Sequence, residues 1–169
     1  MPAPSAVRLP LLSADALQAL VRQDLAAASA AVGAPLPAWF PDNTWLWTLR
    51  LGQVVGEPEC APWLTRAVVA EEPEVVVGLA GFHGPPDERG MVEVGYEIDP
   101  YHRRRGHATA AVLGLMDFAR ERGGVAVVRA SVAPGNAPSL ALVNRLGFVH
   151  VGEQVDERDG LELVFERQL

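Results

Sequence analysis

Ile98-Asp99-Pro100-Tyr101-His102-Arg103-Arg104-Arg105-Gly106-His107-Ala108-Thr109-Ala110 is the stretch on which this chain turns. An apolar strand ends, a basic loop follows, and small residues open a helix that runs to Arg122, before Gly123-Gly124. Ala108, Ala111, Val112, Leu115, Met116 and Ala119 recur at the stagger that gives a helix one buried stripe. Gly123 supplies the stop, with Arg120 and Arg122 in the last turn against the negative end of the helix dipole.

The first amides of a helix are unpaired and carry a partial positive charge, so a helix start is an anion site. Gly106 lets a phosphate approach the backbone, and Ala108 keeps the next turn open. Arg103, Arg104 and Arg105 add fork-shaped donors suited to phosphate oxygens. The loop reads as a polyphosphate site. It contains neither the Gly-Lys-Ser/Thr of a triphosphate loop nor a three-glycine dinucleotide fingerprint.

Around this stretch the chain is ordinary in size and unusual in charge. Its 169 residues, 49% hydrophobic, suit a single domain (1–169) with a sizeable core. A net charge of −7 argues against nucleic acid and membrane surfaces as partners, which makes a local arginine cluster more telling. Cys60 is the only cysteine, so no internal disulfide forms and a reducing compartment is expected. No apolar run of membrane-spanning length is present, and the N-terminus lacks a secretion signal's basic start and apolar middle. A cytoplasmic location is the expectation.

In chain order, Val7 to Leu12 reads as a first strand. Ser13 caps a helix carrying Leu17, Leu20, Val21, Leu25 and Ala28 on one face, ended by Gly33, Pro35 and Pro37. Asn43 then opens a second helix with Trp45, Leu46, Leu49 and Val54, and Gly56 to Pro62 forms a loop. The four tryptophans from Trp39 to Trp63 suit either a core or an acceptor pocket. Trp63–Ala70, Val75–Phe82 and Met91–Ile98 are strands joined by short turns, hence an antiparallel meander. Val125–Val132 follows the central helix and should lie parallel to Met91–Ile98 through a right-handed crossover. A short helix, Ser139–Leu146, and a hairpin of Phe148–Val155 with Leu161–Arg167 complete an α+β chain.

Two blocks carry a resemblance. Arg103-x-x-Gly106-x-Ala108 after a strand resembles the acetyl-coenzyme A signature of the GNAT N-acetyltransferase superfamily. Asn136-Ala137-Pro138-Ser139-Leu140, then Asn144-Arg145-Leu146-Gly147-Phe148, resembles that superfamily's C-terminal block. Gly81-Phe82-His83-Gly84 and Val92-Glu93-Val94-Gly95-Tyr96 are similar to the branch of ribosomal-protein N-terminal (Rim-type) acetyltransferases. The likeness covers Val75 to Leu169. Relatives in that branch often carry Glu where this chain has Ala110, so no role of that glutamate transfers.

The resemblance implies a mixed, mostly antiparallel sheet in which two parallel strands splay, here Met91–Ile98 and Val125–Val132, with the pantetheine arm of acetyl-coenzyme A in the gap. Backbone groups around Ile98 would bond the pantetheine and polarise the thioester. The amides of Arg104 to Ala108, with Arg103 and Thr109, would hold the pyrophosphate, and Asn136 would bond the pantetheine or a water. A primary amine, small-molecule or protein N-terminal, would attack directly, without an acyl-enzyme and without Cys60. Glu93 is the first choice of general base, through a water, with Glu97 and Asp99 as competitors; strand alternation puts Glu93 and Glu97 on one face. Ser139 would face the departing thiolate, with Tyr96 and Tyr101 as alternatives. The four histidines lack metal-ligand spacing, so no metal is expected. His107 should face solvent or phosphate, and His83 either the acceptor or a structural partner. Members of the branch often dimerise, and the C-terminal hairpin offers an edge for a homodimer. Two other readings are a non-catalytic coenzyme A-binding sensor or assembly module, favoured by Ala110, and a nucleotide-binding regulator using the arginines.

Overall fold

The computed structural model describes residues 6–169. The strands are β1 (Val7–Arg8), β2 (Arg66–Glu71), β3 (Glu74–Phe82), β4 (Met91–Ile98), β5 (Val127–Val132), β6 (Val149–Asp156) and β7 (Gly160–Gln168). The helices are α1 (Ala14–Val21), α2 (Leu25–Val32), α3 (Thr44–Gly56), α4 (His107–Arg122) and α5 (Ala137–Arg145). The seven strands form one sheet in the order β1-β2-β3-β4-β5-β7-β6. Its neighbours are antiparallel except β4 and β5, which run parallel, as expected of a strand–helix–strand crossover.

Alternation along the strands feeds two cores, one on each face of the sheet. Val68, Val77, Val92, Val94 and Val128 pack beneath Ala111, Val112, Leu115, Met116 and Ala119 of α4, the stripe read from the sequence. Ala67, Val69, Val76 and Leu79 face the other way, onto Leu17, Leu20, Phe40 and Trp47 of the N-terminal helical layer.

That helical layer departs most from expectation. The single helix expected after Ser13 is two. Gln23 turns to a positive φ of 57°, and the Asp24 amide reaches back to the Ala19 carbonyl. The Asp24 side chain then caps α2 by accepting from the Ala27 amide at 3.0 Å. The first strand shrinks to Val7–Arg8 plus a bridge between Leu11 and Arg66, because Pro10 has no amide to continue the ladder. On α3 the buried face is rotated: Trp47 is 0% exposed and Arg50 7%, while Trp45 is 56% and Leu49 41% exposed. Trp47 sets this phase by stacking on Phe40 at 5.0 Å and donating its indole N–H to the Phe40 carbonyl at 2.8 Å. Asn43 precedes α3 but makes no side-chain capping bond. The expected loop before β2 is a 3₁₀ turn, Pro58–Trp63, which holds Trp63 out of the strand and against Phe82. At the other end, α5 begins two residues early because Asn136 caps it and Pro138 fits its first turn.

Trp47→Ala should cost about 3–5 kcal/mol in urea unfolding, whereas Trp45→Ala, which loses only the Arg158 cation stacked 3.8 Å from its ring, should cost under about 1 kcal/mol.

Candidate active site

The ladder between β4 and β5 is short. It pairs Met91 with Val127, Val92 with Val128 and Glu93 with Arg129, and there it stops. Beyond that point each strand keeps its outer partner: β3 pairs with β4 as far as Ile98, and β7 with β5 as far as Val132. The His83 amide bonds to the Glu93 carbonyl and the Asp99 amide to the Val77 carbonyl, so the odd-numbered residues of β4 spend their backbone groups on β3. Alternation therefore turns the backbone of Val94, Tyr96 and Ile98 toward the gap. Main-chain groups along such a gap can pair with an extended ligand, although the Ile98 carbonyl is already engaged by Arg103.

A cavity of about 720 Å³ occupies the side of this gap below α4 and α5. It is lined by Arg103, Arg104, Gly106, His107, Ala108 and Thr109 of the loop and the start of α4, by Tyr96 and Ile98 of β4, and by Asn136, Ser139 and Arg145 of α5 and its cap. The loop turns through two positive φ values, 60° at Arg104 and 85° at Gly106, and Gly106 is the residue that opens α4. Gly106 makes no side-chain cap, so the first amides of a sixteen-residue helix point into the loop.

Most residues singled out in the sequence meet at this cavity, with differences in detail. Arg103 is turned inward at Nε, which donates to the Ile98 carbonyl at 2.9 Å and fixes the loop to the strand end. Arg105 does not line the cavity, and Arg145, which sequence reasoning passed over, does. Arg145 Nη2 donates to Thr109 Oγ1 at 2.8 Å, so a second helix delivers a cation to the first turn of α4. The Asn136 side chain accepts from the Ser139 amide at 3.2 Å, capping α5 and placing Ser139 in the first turn. The Tyr96 hydroxyl is buried, with no hydrogen bond of normal geometry among the described residues. Burial pushes its phenol above the ordinary value, and the neighbouring Ser139 hydroxyl partly offsets this. Tyr101 is 86% exposed and lines neither cavity.

Of the two expectations for His107, the solvent-facing one is corrected: it is buried, yet it lines the larger cavity, and its Nδ1 has no partner among the described residues. Burial, then the nearby charges of His102 and Arg105, holds the imidazole below its ordinary value. Asp99 beside it is 4% exposed. Burial alone would raise its carboxyl, but the Tyr101 amide, the Trp39 indole N–H and His102 together hold it low. Asp99 is thus occupied in tying the loop to the N-terminal half.

A second cavity, about 270 Å³, lies on the opposite face of β4, lined by Leu46, Arg50, Thr65, Leu79, Phe82, His83, Gly95 and Asp159 among others. Tyr96 and Glu97 line both cavities, so the two meet across β4 at these residues. Glu93 lines neither. It sits at the vertex of the splay, where Ser131 donates to Oε1 at 2.6 Å and His83 Nδ1 stands 3.9 Å away. A β-carbon at Gly95 would meet His83 Nε2 at 2.9 Å, so the ring lies over that glycine, reaching from Glu93 to the small cavity. None of the four tryptophans lines either cavity. Cys60 is buried, and burial and the Glu57 carboxylate push its thiol up, away from the nucleophilic range.

With this geometry in view, residues 10–149 match the family model described as acetyltransferase (GNAT) domain, and the chain belongs to that family. It is 34% identical over 82 residues to the uncharacterized N-acetyltransferase YjdG of Bacillus subtilis, covering 48% of this chain and 49% of that protein. The chain thus spans about half the length of the curated relatives it matches. Two solved structures share the fold at low identity. One is the ribosomal-protein-S5-alanine acetyltransferase of Vibrio fischeri, at TM-score 0.68 and 16% identity over 96% of this chain and 92% of that one. The other is the microcin C7 self-immunity acetyltransferase MccE in complex with acetyl-CoA and AMP, at TM-score 0.67 and 14% identity over 99% and 98%. Among the described residues no helix is long and apolar enough to cross a membrane.

Because the depressed His107 pKa means that the unfolded chain binds the proton first, the stabilisation is complete above the unfolded value of 6.5 and fades as pH falls through it. Melting temperature should drop on acidification from pH 7 to 5.5, less steeply in His107→Gln; equal slopes would contradict the assignment. Loss through Asp99 belongs to a separate window, below 3.8.

Proposed function

We propose that this chain is an N-acetyltransferase that moves the acetyl group of acetyl-coenzyme A to a primary amine, small-molecule or protein N-terminal, within a ternary complex. The observation that carries the reading is the meeting of two cavities across β4. The larger has the anion-holding loop at one end, and the smaller opens at the same two residues, Tyr96 and Glu97. The chain's residues fit the coenzyme, since the loop and helix start with their arginines line the large cavity together with the part of β4 that no longer pairs with β5. Acetyl-coenzyme A would supply an activated acyl group as a thioester.

The remaining work falls to this chain. The amides from Arg104 to Ala108, with Arg104, Thr109 and Arg145, bind the pyrophosphate. The cleft-facing backbone of Tyr96 and Ile98 orients the pantetheine as an added strand and sets a donor where negative charge develops on the carbonyl oxygen. Holding amine and thioester together contributes the largest share, about 7–11 kcal/mol of the barrier. An attacking ammonium must first lose a proton, and Glu93 takes it through a water, with Glu97 on the same strand face. Ser139, beside the Tyr96 hydroxyl, faces the departing thiolate and steadies it. Ala110 lines neither cavity, so the absence of a glutamate there removes nothing from this constellation.

Gly106→Asp places a side chain and a negative charge in the loop and should abolish coenzyme binding by titration calorimetry, with the chain still folded and stability lowered by only about 1 kcal/mol for the positive φ. Glu93→Gln should leave coenzyme affinity intact and lower kcat/KM by about 10²–10⁴, with the acid limb of the pH profile lost. Full activity in Glu93→Gln with loss in Glu97→Gln would transfer the base to Glu97. No thiol release with any amine would remove the catalytic reading.

A further inference from the structure

The smaller cavity contains a charge that no other charge answers. Arg50 is 7% exposed, and its guanidinium loses solvation by burial. Nε donates to Thr65 Oγ1 at 3.1 Å, and Nη1 donates to Gln53 Oε1 at 2.8 Å and to the His83 carbonyl at 3.2 Å. All three acceptors are neutral. Among the described residues Arg50 makes no ion pair, Asp159 of the same cavity included, and Nη2 makes no hydrogen bond. Arg129, also largely buried, shows the usual arrangement: its Nη2 lies 2.7 Å from Glu166 Oε1.

Arginine does not shed its proton in a protein, so burial leaves a full positive charge without a partner. Such a charge is destabilising unless a counter-ion completes it. The neutral acceptors tie Nε to the residue just before β2 and Nη1 to α3 and the residue just after β3, which holds the fork and leaves Nη2 for whatever enters the cavity. Glu97, which also lines the coenzyme cleft, lines the same cavity. The pocket therefore holds both signs of charge, Arg50 of α3 as the cation and Glu97 of β4 with Asp159 as the carboxylates. Leu46, Leu79 and Phe82 supply apolar wall.

We infer that the acceptor carries its own carboxylate: the cavity takes a zwitterionic amine of free amino-acid size, its carboxylate on Arg50 Nη2 and its nitrogen toward Glu97. At about 270 Å³ the space lies below the range for drug-sized ligands, which suits one amino acid. The arrangement also sets direction. A carboxylate on Arg50 points the amine to the residues shared with the coenzyme cleft, so binding energy distant from the reacting nitrogen fixes its approach. This inference rests on the acetyl-transfer reading and narrows its acceptor.

The test is thiol release from acetyl-coenzyme A with four matched sets of amines: the free amino acids, their primary amides, their decarboxylated amines, and short peptides beginning with the same residues. Coenzyme affinity and melting temperature are measured alongside. At least one free amino acid should exceed its amide, its decarboxylated amine and its peptide by about ten- to a hundredfold in kcat/KM, the worth of one charge-assisted hydrogen bond. Arg50→Gln should erase that preference with coenzyme affinity unchanged, and Arg50→Lys should restore part of it. Peptides or neutral amines preferred over free amino acids would overturn the inference, as would an Arg50→Gln that slows all amines equally. Coenzyme binding without turnover of any free amino acid overturns it too, while failure to bind coenzyme defeats the earlier reading instead. If Arg50→Gln does not fold, the wild-type panel still decides.

Discussion

The structure depends on a parallel ladder that ends after three residue pairs. β4 and β5 part after Glu93 and Arg129, and beyond that point each keeps its antiparallel neighbour on the far edge, β3 from Val94 to Ile98 and β7 as far as Val132. The vertex is pinned: Arg129 pairs with Glu166 of β7, and Ser131 reaches across to Glu93. Hydrogen bonding to Arg129 holds the Glu166 carboxyl well below its ordinary range, against the opposing effect of burial. What results is a permanent gap with backbone donors and acceptors along one wall.

The rest of the molecule furnishes that gap. α4 packs on the sheet through its apolar stripe and presents the amides of its first turn to the larger cavity, while Arg103 ties the loop before α4 to the end of β4. α5 brings Ser139 and Arg145 from the other side. Since one strand, β4, forms a wall of both cavities, side-chain alternation sorts its residues by task. Tyr96 and Ile98 pack toward the α4 side, and Glu93, Gly95 and Glu97 toward the helical layer of the N-terminal half. Gly95 is small because the His83 ring occupies the space its β-carbon would need.

Legibility in the sequence followed the range of the interactions involved. The α4 stripe, the loop before it, the crossover to β5 and the C-terminal hairpin are local patterns, and each appears where the residues place it. The N-terminal half was read less well, because contacts distant in sequence set its geometry. The phase of α3 follows from Trp47 stacking on Phe40, so Arg50 falls on the buried face where periodicity had put Trp45 and Leu49. His107 looked like a loop residue and is buried at the first turn of α4. The tie between Arg145 and Thr109 joins two helices 36 residues apart, with no spacing rule to announce it. A sharper signal existed for Tyr96, whose even-numbered place on β4 puts it opposite the glutamates in any alternating strand.

Two cavities on opposite faces of one strand, joined at Tyr96 and Glu97, make the proposed site, the larger resting on local sequence and the smaller on tertiary packing. The most direct measurement is a crystal structure of the protein soaked with acetyl-coenzyme A. The account predicts the diphosphate against the amides from Arg104 to Ala108, the pantetheine bonded to the backbone of Tyr96 and Ile98, and the acetyl group at the junction of the two cavities. Electron density for the coenzyme elsewhere, or β4 and β5 zipped together past Glu93 in the complex, would contradict it.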